Sequence, residues 1–169
     1  MESSRILDYC KYKYWYEAIR SDNFNTIAKE LEHCSDITER NKLLNGLFDM
    51  EAISSSSSYI KANKIGAKHV WHLVATLCSE KTIKLFLSEG VDIHVQNDLN
   101  YNVVHSMIIA AFCQPECEDK MMENYKILMD NISTESKLQL LNSKHLEGLR
   151  PLEFAMDLAT TGLFQGKIH

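Results

Sequence analysis

The sequence predicts an all-α fold of short, paired helices, and three observations carry that expectation. Apolar residues recur at three- and four-residue spacing: Trp15, Ala18 and Ile19; Phe24, Ile27 and Leu31; Ile83, Phe86 and Leu87; Ile127 and Leu128. Two prolines and six glycines are all that punctuate 169 residues, and no run of Val, Ile or Thr alternates with polar residues as a half-buried strand does. The sequence also matches itself at one fixed shift, pairing Trp71 with Val104, His72 with His105, Val74 with Met107 and Ala75 with Ile108.

Composition narrows the class further. A hydrophobic content of 45% suits one globular domain with a core. The net charge of -5 opposes a polyphosphate backbone, so nucleic acid is not an expected partner. Arg5, Asp8, Lys11 and Lys13 break up the apolar residues of the N-terminus, which therefore does not read as a secretory leader, and the mature chain is expected to begin at or near Met1. The most apolar run, Val103 to Cys113, is about half of the ~20 residues a spanning helix needs. No membrane insertion by this chain is expected. Five scattered cysteines, an odd number, point to reduced thiols and a cytoplasmic setting.

Along the chain, residues 1–53 read as a divergent helical cap or repeat. Tyr9, Tyr12, Tyr14, Trp15 and Tyr16, interleaved with Lys11 and Lys13, form an aromatic helix expected to fold onto the first repeat, with Asp22-Asn23 as the turn to the next helix. Ser54 to Ser58 offer no side chains for a core, so 54–60 is assigned to an exposed loop. Residues 61–96 hold a first repeat, His69-Val70-Trp71-His72-Leu73-Val74-Ala75 followed by Ile83 to His94, with Gly90 where its second helix must stop. Residues 97–142 open a second at Asn97 to His105, with Asn100 in the place of a turn glycine. Residues 143–169 open a third at Gly148-Leu149-Arg150-Pro151-Leu152-Glu153-Phe154-Ala155, where Pro151 suits a first helical turn. The step from His105 to Glu153 is longer than the step from His72 to His105, so an insertion is expected either between Phe112 and Asn124 or after Met129.

These segments resemble ankyrin repeats, whose pattern is a Thr-Pro-Leu-His-x-Ala-Ala first helix, a second helix ending Leu-Leu-x-x-Gly-Ala-Asp, and a hairpin finger; the step from His72 to His105 is the period of that family. The resemblance implies a solenoid of antiparallel helix pairs with hairpin fingers, about three to four repeats with irregular insertions, acting as a protein-interaction module. From about Lys61 onward the chain is also similar to the ankyrin region of vanilloid-type transient receptor potential channels. Asn100-Tyr101-Asn102-Val103-Val104-His105-Ser106-Met107-Ile108, Asn124-Tyr125-Lys126-Ile127-Leu128-Met129, His145 to Pro151, Ala155 and Gly162-Leu163-Phe164-Gln165 stand where those channels carry their motifs. That similarity implies, as an alternative, a cytosolic regulatory region mediating subunit contacts.

Within the ankyrin register, His72 and His105 are expected to be structural, each imidazole bonding neighbouring backbone, with Gly90 and Pro151 as conformational markers. The exposed, variable positions of the register are Lys68, Thr76, Leu77, Asp98, Leu99, Tyr101, Ile109, Ala110, Glu147 and Leu149. Leu99, Tyr101 and Leu149 lead this set for binding another protein, because apolar and aromatic anchors dominate interface energy. Cys113-x-x-x-Cys117 with His105 upstream is the best metal constellation, but no second ligand pair follows, so no metal is expected. Cys113 is instead expected to pack at a helix end and Cys117 to lie in an exposed insertion. No nucleophile elbow or phosphate-cradling glycine motif is present; neither catalysis nor a cofactor is expected. The last repeat lacks a polar cap, which leaves Leu158, Leu163 and Phe164 at an edge fit for self-association or for docking a partner.

Overall fold

The computed structural model describes residues 5–48 and 69–165, with side chains as far as Thr161. Among these residues the fold is all-α apart from a minimal sheet. The helices are α1 (Tyr9–Arg20), α2 (Phe24–His33), α3 (Ile37–Asn45), α4 (Val70–Leu77), α5 (Glu80–Ser88), α6 (Val103–Cys113), α7 (Glu118–Asp130), α8 (Thr134–Asn142) and α9 (Pro151–Gln165). A 3-10 turn, Pro115–Cys117, joins α6 to α7. Strands β1 (Ile6–Leu7) and β2 (Leu47–Phe48) pair in parallel, and Leu47 bridges to His69. Two-residue strands carry no alternation, so nothing in the sequence pattern signals them.

Helices pack in two rows. In the first, α1 lies on α4, α4 on α6, and α6 on α9; in the second, α2 lies on α5 and α5 on α7. Pairs α1/α2, α4/α5 and α6/α7 cross-link the rows. The core between them holds Trp15, Trp71 and Phe86 without exposure, and Trp15 stacks on Phe86 at 6.2 Å. Burying an indole contributes on the order of 4 kcal/mol, against a net ~1 kcal/mol for a hydrogen bond. The bond from Trp15 Nε1 to the Leu43 carbonyl (3.0 Å) therefore fixes the orientation of a ring that packing already holds.

Two helices stand outside the rows. α3 packs on α4, and α8 packs on α6 and α9. They end alike, Leu43-Leu44-Asn45 and Leu140-Leu141-Asn142, and each offers an equivalent carbonyl to a buried side chain. Leu43 O accepts from Trp15, and Leu140 O accepts from Asn102 Nδ2 at 2.8 Å. The excess length between His105 and Glu153 thus includes a helix in the segment after Met129.

Helix ends explain how consecutive pairs register. At Gly90 (φ 78) α5 closes with Val91 N–H to Phe86 O and Gly90 N–H to Leu87 O, the two-bond termination that needs a left-handed residue. α1 closes in the same way, Asn23 N–H to Ala18 O and Asp22 N–H to Ile19 O, but Asp22 occupies the left-handed place at φ 50. Its carboxylate crosses to the next pair, accepting from Ser79 N–H (3.1 Å) and Thr82 Oγ1 (2.7 Å) at the start of α5. Ser79 makes no side-chain cap of its own; the Asp22 carboxylate instead holds the Ser79 N–H and the Thr82 hydroxyl, and its negative charge at this end suits the helix dipole. Asn100 (φ 58) and Gly148 (φ 85) take the left-handed conformation in the later loops.

Candidate partner-binding surface

The two histidines of the period sit in equivalent places. Each is the third residue of a first-row helix and is wholly buried. His72 Nε2 donates to Val95 O (3.1 Å) while its Nδ1 accepts from Ser106 Oγ (3.0 Å), tying α4 to the next loop and to α6. His105 Nε2 donates to Leu149 O (3.3 Å), and Asn102 N–H is directed at its Nδ1 (3.3 Å). Both bonds require the neutral Nε2–H tautomer. Burial, reinforced by nearby His145, pushes the His105 pKa down to about 4, although the Leu149 carbonyl pulls the other way. Glu153 takes the corresponding place in α9, where its carboxylate accepts from Arg150 N–H at 2.8 Å.

These bonds anchor the loops, and the loops carry the finger residues. Asp98, Leu99 and Glu147 face solvent, and Leu99 O accepts from Leu146 N–H (3.0 Å), so neighbouring fingers bond to one another. Tyr101 does not project outward as expected. Its half-buried ring lies within 5.1–5.6 Å of His105, Phe154 and His145, inside an aromatic cluster that closes the finger base. His145 Nδ1 accepts from Glu147 N–H, and its buried Nε2 has no hydrogen-bond partner. Leu149 is half-buried, its carbonyl taken by His105 and by His145 N–H. Thr76 is half-buried and bonds back to His72 O at 2.8 Å; Leu77 packs against the core; Ile109 and Ala110 are half-buried. Lys68 lies outside the described residues.

A larger apolar feature lies at the C-terminal end, away from the positions the register singles out. A cavity of about 270 Å³ opens between α6 (Val104, Met107, Ile108, Ala111), α7 (Met121, Met122, Tyr125), α8 (Leu141) and α9 (Pro151, Leu152, Ala155). Its rim is unusually apolar for solvent contact: Leu152 is 71% exposed and Met122 63%, with Leu138 and Met156 nearby in sequence also exposed. The residues come from four helices separated in sequence, so only the Leu152–Met156 stripe shows in the sequence pattern. Of the edge residues expected to be left open, Leu158 is half-buried, while the side chains of Leu163 and Phe164 lie outside the described set.

The cysteines are free, and two of them exchange the expected places: Cys113, at the end of α6, is exposed, whereas Cys117 is half-buried and donates to Gln114 Oε1. At the end of α6 only Phe112 and Cys113 are exposed, while Ala110 and Ala111 pack against the core. Among the described residues no group of three His, Cys, Asp or Glu could hold a metal ion, and no helix is long and apolar enough to cross a membrane. No family model, curated protein or solved structure matches the chain.

Proposed function

We propose that this chain is a cytosolic ankyrin-type solenoid that binds another protein through its C-terminal end and adjoining finger tips. The observation that carries the reading is the apolar cavity with Leu152 and Met122 on its rim. At about 270 Å³ it falls just under the ~300–1,000 Å³ of small-molecule sites, and it lacks the convergent polar groups that orient a substrate. That size suits two or three side-chain anchors of a partner, and three lining methionines adapt readily to such contacts. The equivalent bonds of His72 and His105, one period apart, support the ankyrin register, as do the two helical rows. They also commit those imidazoles to carbonyls, away from acid–base work.

A photo-crosslinking residue placed at Leu152, and separately at Leu99, in the full chain expressed in its native cells tests the proposal. The expected result is a discrete protein adduct at one or both positions, lost from Leu152 after Met122→Asp. Absence of any protein adduct at both positions overturns it.

A further inference from the structure

Resting on that reading for its consequence, we infer that Met122 is a site of reversible sulfoxidation, and that one oxygen added there turns a partner away from the cavity. Three methionines line the cavity, and burial separates them. Met107 and Met121 are each 3% exposed, whereas Met122, the next residue along α7, lines the same cavity and is 63% exposed. A dissolved oxidant therefore reaches one of the three sulfurs in the folded chain, and the other two only when helices part. Met156 on α9 supplies the comparison, being exposed to the same 63% without lining the cavity.

The oxidant is a peroxide. Hydrogen peroxide passes one oxygen atom to the thioether of Met122: an S–O bond forms, the O–O bond breaks and water leaves, so the sulfur loses two electrons and the peroxide gains them. A flexible apolar side chain becomes a polar, chiral one. Among the side chains that line the cavity, Tyr125 alone carries a hydrogen-bond donor, so a sulfoxide oxygen at Met122 depends on the water over the rim. A partner that seats apolar anchors there strips that water and leaves the acceptor unpaired, whereas it covers a thioether without that penalty. Folding is little affected, because an exposed side chain keeps its water in the folded and unfolded chain alike. Oxygen on Met107 or Met121 would instead enter the carbon wall and loosen it, which separates a switch at the rim from damage to the core.

The test uses the full chain with the crosslinking residue at Leu152, treated with hydrogen peroxide and then with dithiothreitol, which restores the open thiols of Cys10 and Cys113 but leaves sulfoxides in place. Peptide mass mapping should show Met122 and Met156 each gaining one oxygen ahead of Met107 and Met121, with the melting temperature unchanged. The yield of the Leu152 adduct should fall about tenfold, the effect of one unpaired acceptor at an interface, and should return after the two reductases that act on opposite sulfoxide epimers. Each variant is compared with its own untreated yield: Met156→Leu should fall as far as the parent chain, and Met122→Leu should not fall. Met122 that stays reduced while Met156 is oxidised overturns the inference. So does a Leu152 adduct that persists when Met122 is fully oxidised, or a loss that persists in Met122→Leu. A chain that gives no Leu152 adduct before treatment also overturns it, and an adduct at Leu99 in that chain sustains the interaction module.

Discussion

His105 shows how much one side chain of the period holds. Removing its ring in His105→Ala orphans the Asn102 N–H and leaves the Leu149 carbonyl with the His145 N–H alone, and a loss of about 1–3 kcal/mol in denaturant titration is expected. Because its folded pKa is about 4 against 6.5 for the free group, the unfolded chain takes up the proton first as pH falls. The contribution of His105 to stability is thus constant above about pH 6.5 and declines from there toward pH 4, below which it levels off. His69, also lowered mainly by burial, has the same sign. Melting curves between pH 7 and 4 check this, and His105→Gln should flatten part of the decline; an unchanged slope rejects the assignment. The self-match that pairs His105 with His72 singled this residue out, and each of the two is the buried third residue of its helix. Tyr101 was not legible in the same way: alternation along a finger says that a ring is large and apolar, but not that His145 and Phe154, one finger further along the chain, form a box around it.

At the scale of elements, the turn after α1 is the informative case. Asp22 holds a left-handed place that glycine fills after α5, which costs about 1 kcal/mol, and its carboxylate offsets this by bonding the start of α5. Asp22→Ala loses those bonds and keeps the backbone cost, so a loss of about 1–2 kcal/mol is expected; Asp22→Gly should lose less, since it relieves the backbone. If Ala and Gly are equivalent in chemical denaturation, the carboxylate bridge and not the backbone dominates. Gly90→Ala, with open space around the added carbon but φ at 78, should cost about 1 kcal/mol through conformation alone. Helix pairs, their polar turn at Asp22-Asn23 and the proline that opens α9 could all be read from spacing and capping chemistry. Helices α3 and α8 could not be assigned to a row, because periodicity reports that a helix has an apolar face without naming the neighbour that covers it.

For the whole molecule, circular dichroism of the intact chain should show a predominantly helical spectrum with little strand, and a sheet-dominated one would refute the architecture. Under the proposed solenoid reading, stability is close to a sum of unit and junction terms. The first junction carries its own timer. Cys78 is fully buried, donates its thiol proton to Ile19 O at the end of α1, and is made a poor acid mainly by burial and secondarily by Asp22. Cys10 and Cys113 lie open to reagent. An alkylating dye should therefore label those two first, the half-buried Cys34 and Cys117 next, and Cys78 last, only when α1 parts from α4, so the slowest of the phases clocks the breathing of that seam and should quicken in Asp22→Ala.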